Sequence, residues 1–429
     1  MYLPRLKDQS KKNKAAVIFC KTLLEKGYQG EFSSKFADRL VLSTDNSIYE
    51  TLPAAILWPK TQKDIQIIIT LAQSPNFISL TFAPRGGGTG THGQSLCTGI
   101  VIDCSKYLNK IISINPEEQW VDVEPGLTLF ELNQALLKHN LMFAPHVSPA
   151  DRATIGGMIA TDACGKGSLI YGRTKDHIIS LDVVLADATS LTIEPIDPNH
   201  EKQNTKLIPY AKQIKEDIQK EEKKIDQYFP NQIRYLTGYN LKHIQSKEKV
   251  NLIACFAGSE GTLGIIKKAR LKCTPIKPFT YAIITQHKQE AEALQIGYDC
   301  LSLGPDTIEY MDKNLIQAVF DTDFYQNIKQ DNFIKKESCL TIIEFSEKNK
   351  EDLKAISNQI ITFLNKRKVD YLKIDEKEHI NQYWQCRSAA VGILAKKCGP
   401  KKAIPMIEDT VVAPSQLKNY IQEIRNLLK

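Results

Sequence analysis

Residues 84–93 read PRGGGTGTHG, a glycine-rich loop that decides how the surrounding chain folds. Apolar stretches at 77–83 and 100–104 flank it, and both are predicted as strands. Glycines without Cβ atoms let a backbone approach a diphosphate closely and direct N–H donors at it. The loop therefore predicts a phosphate-binding site, with a flexible hairpin loop as the structural alternative.

The same loop contains the spacing GxGxxG at Gly88, Gly90 and Gly93. In a Rossmann fold this spacing opens a helix whose N-terminus faces the pyrophosphate. Here residues 94–99 lead into the strand at 100–104 instead, so a Rossmann fold is disfavoured. A P-loop is excluded because no GK[ST] follows the glycines.

Two further segments, 148–165 and 257–265, carry small residues where a backbone would lie close to a flat ligand. Each segment alone is equally well explained as a helix N-terminus or a tight turn. Their joint occurrence after the glycine loop points to one ligand contacted by all three segments. Arg85, Thr89 and Thr91 are expected to add side-chain donors to the loop.

The composition is that of an ordinary globular protein, and it argues against several classes of protein. Its 429 residues allow two or three domains of about 150 residues each. The net charge of +7 comes from scattered lysines, not from a dense basic run with aromatics, so nucleic-acid binding is disfavoured. No stretch approaches the ~18 apolar residues of a membrane span, and no signal peptide is indicated.

The ten cysteines show no CxxC pair and no tight cluster. Disulfide, zinc and iron–sulfur sites all lack their expected spacing. Most of the cysteines are expected to be buried small hydrophobes in a reducing cytoplasm.

Helix and strand signals divide the chain near residues 273–278. A lysine- and glutamate-rich helix is expected at 215–226. The other elements predicted before the boundary are a helix at 14–27, strands at 54–58, 100–104, 111–114, 120–123, 251–258 and 265–271, helices after the capping residues Thr61 and Thr128, and a hairpin of 181–186 with 190–193. Those after it are strands at 279–285, 309–311, 339–345 and 370–374, with helices at 288–302, 349–366 and 378–397, and a second helix after 311. This alternation predicts a separate α+β domain.

Eight stretches of the sequence, taken together, resemble a known flavoprotein family. PRGGGTGTHG, RATIGGMIATDACGKGS, YGRTKDHI and GSEGTLGI occur here in the order typical of the vanillyl-alcohol-oxidase (PCMH-type) FAD-binding domain. STDNSIYETLP, INPEE, RYLTGYNLKHI and IPMIEDT further resemble the N-terminal part of the long bacterial FAD and iron–sulfur D-2-hydroxyglutarate dehydrogenases. The resemblance implies an α+β fold: a lead-in at 1–50, an FAD-binding domain of two α/β subdomains at 51–273, and an α+β cap domain at 274–429.

The resemblance also implies a set of cofactor contacts and substrate residues. Thr89 stands where some relatives carry a histidine that links covalently to the flavin, so non-covalent FAD is expected although His92 is near. Arg387 in WQCRSAAVG matches the arginine that pairs with the substrate carboxylate, and Lys402 is a weaker candidate for a second carboxylate. The implied FAD contacts are Pro84, Arg85, Gly86, Gly87, Gly88, Thr89, Gly90, Thr91, Ala153, Thr154, Gly156, Gly157, Thr161, Asp162, Glu260, Gly261 and Ile265.

The function implied is oxidation of a D-2-hydroxy acid, of the D-2-hydroxyglutarate or D-lactate class, by hydride transfer to flavin N5. The family's metal-binding and proton-accepting histidines are expected beyond Lys429, as is the iron–sulfur cluster of longer relatives. A quinone or an iron–sulfur partner would take the electrons. Glycolate or sugar-alcohol oxidation in the same fold stays open, as does a non-catalytic FAD-binding subunit completed by a second, C-terminal chain. A cytoplasmic location, peripheral at the inner membrane, is expected.

Overall fold

The computed structural model describes residues 10–199, 206–230, 232, 238–244, 249–320, 322–396 and 407–428. These residues form two compact units. The first contains most of the chain up to Pro275. The second contains the described residues from Ile276 onward, together with Gln232 and an earlier excursion, Lys166–Gly172.

The strands are numbered in chain order. They are β1 Glu31–Ser33, β2 Ala55–Trp58, β3 Phe82–Arg85, β4 Ile100–Asp103, β5 Ile111–Asn115, β6 Trp120–Val123, β7 Leu141–Met142, β8 Ile178–Leu185, β9 Ser190–Ile193, β10 Gly264–Lys272, β11 Thr274–Pro275, β12 Phe279–His287, β13 Thr307–Met311, β14 Cys339–Glu347 and β15 Tyr371–Ile374.

Helices connect and cover these strands. The α-helices are Ser10–Glu25, Phe36–Val41, Gln62–Ala72, Leu129–Leu137, Ile155–Ala160, Ser168–Tyr171, Ile208–Tyr228, Ile253–Phe256, Glu290–Cys300, Lys313–Phe320, Asp323–Gln326, Lys350–Lys366, Lys377–Lys396 and Leu417–Leu427. Short 3₁₀ turns occur at Thr174–His177, Leu241–His243, Leu301–Leu303, Lys329–Asp331 and Pro414–Gln416.

The first sheet of the first unit has the order β1-β2-β4-β3, in which β2, β4 and β3 run parallel and β1 is antiparallel. Its core also receives Phe19 and Leu23 from the helix Ser10–Glu25, so the expected lead-in packs into this unit. The glycine loop follows the carboxyl end of β3. In sheets of parallel strands this edge is where ligands commonly bind.

The second sheet of the first unit is antiparallel, with the order β5-β6-β10-β8-β9. The helices Leu129–Leu137 and Ile155–Ala160 bury their apolar residues in its core, as Leu132 and Ile159 illustrate. The predicted hairpin is confirmed, because Leu181 pairs with Ile193 across β8 and β9. The two sheets give the two α/β subdomains that were expected.

Both predicted capping boxes are present. Thr61 accepts a hydrogen bond from the backbone N–H of Asp64, whose carboxylate accepts one in return from the Thr61 N–H. Thr128 and Glu131 make the same reciprocal pair. Each box satisfies amide groups that the first helical turn leaves unpaired, so these helix starts are fixed locally.

Two strand predictions were wrong. The stretch 77–83 begins with turns at Phe77 and Leu80, and only β3 at its end is extended. The stretch 251–258 contains one buried helical turn, Ile253–Phe256, and β10 pairs with β8 and β6 instead. A short apolar run buried on every side has no periodicity that separates a strand from a helical turn.

The second unit is built on an antiparallel sheet with the order β13-β14-β12-β15. One face packs through Ile283 and Phe345 onto the helices Glu290–Cys300 and Lys350–Lys366. The other face receives the helix Lys377–Lys396. The predicted alternation of strands and helices is confirmed, as is the α+β class of the chain.

An arginine–aspartate pair joins β10 to β6 in the first unit, and its contribution to stability is expected to depend on pH. Arg270 donates from Nε to Asp122 Oδ1 (2.7 Å) and from Nη2 to Oδ2 (2.8 Å). This contact lowers the pKa of Asp122. A depressed pKa stabilises the fold above the ordinary aspartate pKa, and the contribution is lost as the pH falls through the lowered value.

Arg270→Gln is expected to reduce the free energy of unfolding near pH 7 by about 1 kcal/mol, a modest value because the arginine is partly exposed. Urea unfolding at a series of pH values measures the difference between variant and parent. That difference should shrink as Asp122 is protonated in acid. A difference that stays constant down to that range would contradict the assigned role of the pair.

Nine cysteines fall within the described residues, and none of these nine is in a disulfide. Seven of them are buried, which confirms the expected packing role. In the part of the chain that the structure describes, no helix is both long and apolar enough to cross a membrane.

Candidate functional site

The glycine loop presents a run of backbone donors. Within the described part of the chain, the N–H groups of residues 86–91 make no hydrogen bond, while the next amide, at His92, donates to Gln94 Oε1. The carbonyl of Gly88 accepts from the Asn46 N–H, which anchors the middle of the loop. Such a run of unpartnered amides is suited to an anion with several acceptor oxygens.

The loop lies directly against the second small-residue segment. A Cβ atom on Gly86 would be 2.0 Å from Thr154 Oγ1, and one on Gly87 would be 1.9 Å from the carbonyl oxygen of Arg152. Gly87 is nevertheless solvent-exposed. One side of its backbone is therefore closed by protein, while the other is open to a ligand.

The third segment completes the cluster. Gly258 and Glu260 donate from their amides to the carbonyls of Ile159 and Ala160, at 3.0 and 2.9 Å. Glu260 and Gly261 both have left-handed backbones, with φ of +50° and +80°. A Cβ on Gly261 would be 2.8 Å from Pro84 Cγ, so this turn also reaches the glycine loop.

The side chain of Arg85 has hydrogen-bond partners within the protein. The sequence placed its guanidinium among direct donors to the ligand. In the structure the side chain is buried and donates to the carbonyls of Leu42 and Thr44 and to Ser95 Oγ. It therefore holds Leu42 and Thr44 against the loop, and the predicted contact of Arg85 with the ligand stays a prediction.

The other predicted residues of the second segment are arranged around a short helix, Ile155–Ala160. Thr154 is buried and caps this helix by accepting from the Gly157 N–H. The Gly156 amide donates to the Pro125 carbonyl, and Thr161 Oγ1 donates to the Gly157 carbonyl. Ala153 is also buried, and its amide donates to Pro149.

Three predicted positions remain at the edges of the cluster. Thr89 and Thr91 are half-buried in the loop, and Thr91 Oγ1 lies 3.3 Å from Nδ1 of the exposed His92. The Ile265 side chain is buried in the core beneath the parallel sheet, and its backbone pairs with Val184. Any ligand contact by Ile265 would therefore have to be made by backbone atoms.

Asp162 is the most deeply buried charge of the cluster, with 0% exposure. Its Oδ2 lies 3.2 Å from Arg173 Nε, and its Oδ1 accepts from the Lys175 amide. Burial raises the pKa of Asp162, and Arg173 opposes that rise. Asn240 donates to the same carboxylate. Arg173 and Asn240 stand in two quoted motifs, but the sequence alone assigned them no role.

FAD presents a diphosphate and a flat ring system to its binding site. A diphosphate needs several convergent donors at a surface without side chains, and the amides of residues 86–91 over the Gly86 and Gly87 contacts meet that need. The second and third segments bring small residues up to the loop, where Gly86 lies against Thr154 and Gly261 lies against Pro84. The residues present therefore fit FAD, and the loop and both segments belong to the first unit.

In the second unit, Arg387 projects from the helix Lys377–Lys396 and is half-buried. Its Nε and Nη2 donate to Glu309 Oε2 on β13, at 3.0 and 2.9 Å. The glutamate fixes the plane of the guanidinium, which the sequence did not reveal because the partners are far apart in the chain. Lys402 lies outside the described residues.

A second ion pair lies on the same helix-covered face of that sheet. Lys166 Nζ is 2.8 Å from Glu344 Oε2 on β14 and 4.1 Å above the ring of Trp384. Trp384 Nε1 donates to the same carboxylate oxygen, and Trp384 precedes Arg387 by one helical turn. Across the described residues there is no group of three or more metal-ligating side chains.

Comparison with known proteins agrees with this geometry. Residues 53–194 match the FAD binding domain, and residues 289–429 match the C-terminal domain of FAD linked oxidases. The chain is 35% identical to a D-2-hydroxyglutarate dehydrogenase of Pantoea ananatis and 34% identical to one of Escherichia coli, over 96% of its length in both cases. It spans only 42% of the length of each of these relatives.

More distant similarity extends over most of the chain. A glycolate oxidase subunit of Bacillus subtilis is 25% identical, covering 92% of this chain and 73% of that protein. A solved alkyldihydroxyacetonephosphate synthase superposes with a TM-score of 0.68 at 16% identity, covering 96% of this chain and 75% of that one. The last comparison supports the fold alone. The matched models show that the chain carries an FAD binding domain and a C-terminal domain of FAD linked oxidases.

Proposed function

We propose that this chain is the FAD-binding and substrate-binding part of a dehydrogenase that oxidises a D-2-hydroxy acid, of the D-2-hydroxyglutarate or D-lactate class. The observation that carries the proposal is the run of amides at 86–91, which have no hydrogen-bond partner among the described residues and lie against the segments at 152–162 and 258–261. The names of the similar bacterial proteins support the substrate class.

The proposed cofactor contacts follow the cluster. The amides of 86–91 would hold the diphosphate, and 153–162 would lie along the cofactor toward the isoalloxazine. Glu260, Gly261 and Ile265 would contact the adenosine end or the ribityl chain through their backbones. The absence of a histidine at Thr89 supports non-covalent binding.

FAD, when bound, supplies the acceptor for the hydride that leaves C2 of the substrate. In this proposal Arg387 pairs with the C1 carboxylate, and Glu309 keeps the guanidinium oriented for that contact. Lys402 would bind a second carboxylate. We assign no residue of this chain as the base that takes the hydroxyl proton. A quinone or an iron–sulfur partner, not NAD, would accept the electrons.

We further propose that 51–273 act as the FAD-binding domain and 274–429 as the cap. The division of the described residues near Pro275 supports this boundary. A reducing cytoplasm, with peripheral association at the inner membrane, is proposed as the location. The nine cysteines without disulfides support the reducing environment.

The visible absorption spectrum of the purified chain tests the proposal directly. A bound-flavin spectrum is expected, and D-2-hydroxyglutarate added without oxygen should bleach it. D-lactate and glycolate, tested in parallel, separate the substrate classes. A chain that takes up no flavin even with added FAD would overturn the proposal.

One alternative has an observation in its favour. The chain spans 42% of the length of the similar dehydrogenases, so a non-catalytic FAD-binding part that needs a second chain is the second candidate. It predicts a bound flavin that stays oxidised with every hydroxy acid. Recovery of bleaching on addition of a second, histidine-bearing chain would support it, and bleaching by this chain alone would exclude it.

A further inference from the structure

Arg173, Asp162 and Asn240 form a buried polar network in the first unit. Arg173 and Asp162 form an ion pair at 3.2 Å, with 3% and 0% of their side chains exposed. Asn240 is 1% exposed and lies between them. Its Oδ1 accepts from Arg173 Nη2 and its Nδ2 donates to Asp162 Oδ2, both at 3.5 Å.

The network joins parts of the chain that are distant in sequence. Asp162 stands two residues after the helix Ile155–Ala160, in a left-handed backbone conformation with φ of +45°. Asn240 Nδ2 also donates to the carbonyl of Ala257 at 3.0 Å. Ala257 directly precedes the turn at 258–261. The network therefore ties the second and third small-residue segments to each other.

Neither turn would hold its shape unaided. Asp162 and Glu260 both adopt the left-handed conformation, which is strained for residues other than glycine and persists only where surrounding contacts enforce it. The Asp162 carboxylate accepts from the Lys175 amide and faces Arg173, so its position is determined from two sides. The Ala257 carbonyl is held by Asn240.

A need for stability alone does not explain a fully buried ion pair. Apolar residues of similar volume would fill the same space at equal or lower free energy, because desolvation offsets much of the attraction between the charges. A buried pair does provide directional bonds that fix two backbone turns in one arrangement. The two turns fixed here are those to which the proposed function assigns the cofactor.

We infer that Arg173 and Asn240 are positioning residues for FAD, acting through Asp162 and the Ala257 carbonyl on the two turns that contact it. The inference rests on the proposed placement of FAD on these segments. The inference assigns a structural role to polar residues of the motifs YGRTKDHI and RYLTGYNLKHI, for which the sequence alone indicated no role.

The test measures FAD affinity and apoprotein stability separately in the full chain. Arg173→Gln and Asn240→Ala are expected to weaken FAD binding by about tenfold or more, which corresponds to about 1.4 kcal/mol of binding free energy. Arg173→Lys, which keeps the charge, should recover part of the affinity. The visible circular dichroism of bound FAD should change in the variants, because the turns around the cofactor are altered.

Arg270→Gln is the matched control, since it removes an arginine from an aspartate pair of the same unit whose two residues lie outside the glycine loop and both small-residue segments. It should leave FAD affinity unchanged. If Arg173→Gln fails to fold, Asp162→Asn combined with Arg173→Gln removes both charges together, and its affinity should fall in the same way.

Each result decides between the two proposals. Folded variants of Arg173 and Asn240 that bind FAD within about twofold of the parent would overturn this inference and leave the proposed function standing. A loss of affinity equal in Arg270→Gln would also overturn it, because the effect would then be a general loss of stability. A parent chain that binds no FAD would remove the proposed function, and this inference with it.

Discussion

Gly87→Ala is expected to weaken FAD binding by at least about 100-fold, the loss of two or more well-placed hydrogen bonds to a charged group. The added Cβ would lie 1.9 Å from the Arg152 carbonyl oxygen and 2.8 Å from its carbon. Backbone atoms cannot rotate away, so the loop itself would shift. That shift would misdirect the amides of 86–91, which act as donors only in the present backbone conformation.

The measurement is a titration of the apoprotein with FAD, followed by quenching of flavin fluorescence. Gly392→Ala is the matched control, because Gly392 lies in the helix Lys377–Lys396 and a Cβ there meets no atom of the described residues within 4 Å. Alanine should leave affinity unchanged and favour that helix slightly. If Gly87→Ala kept the parent affinity in a folded protein, the glycine loop would not be the diphosphate site.

Arg387→Gln is expected to reduce the rate at which a 2-hydroxy acid bleaches the flavin by about 100-fold or more, with FAD affinity unchanged. The guanidinium is the group proposed to pair with the C1 carboxylate, and an amide offers neither its charge nor its paired donors. Arg387→Lys keeps the charge but not the planar fork, so an intermediate rate is expected. Anaerobic stopped-flow absorption measures the bleaching.

Substrate binding can be followed even if this chain alone does not complete the reaction. Trp384 lies one helical turn before Arg387, so its fluorescence should change when a carboxylate binds there. Arg425→Gln is the control, because Arg425 also pairs with a glutamate, Glu290, in the same unit. Unchanged bleaching and unchanged substrate affinity in Arg387→Gln would remove this arginine from the substrate site.

Local signals in the sequence predicted the fold well. The capping boxes at Thr61 and Thr128 were predicted correctly because each is closed by residues within one helical turn. The strand predicted at 251–258 failed because its apolar residues are buried on all sides, and the resulting helical turn has no polar face to show a period. The pairing of β10 with β8 depends on chain far away, which no local pattern encodes.

The sequence predicted the parts of the candidate site that depend on backbone conformation. It was less informative about the parts that depend on side chains far apart in the chain. The glycines at 86 and 87 showed in advance where the chain makes close approaches, because no other residue fits there. The use of Arg85 to hold Leu42 and Thr44 could not be inferred, since an arginine beside a glycine loop is equally suited to an anion. Glu309 was missed because nothing in the sequence links it to Arg387.

The excursion Lys166–Gly172 has a consequence for how such domains are exchanged during evolution. Lys166 compensates the carboxylate of Glu344, which is only 7% exposed, and the Gly167 amide donates to Thr307. A cap inherited as the stretch after Pro275 alone would keep the buried acid and lose its cation, a penalty of about 3–5 kcal/mol. That is comparable with the whole stability of a small domain. Lineages that exchange the second unit have to carry two separate pieces of gene, so the two units are expected to be inherited together.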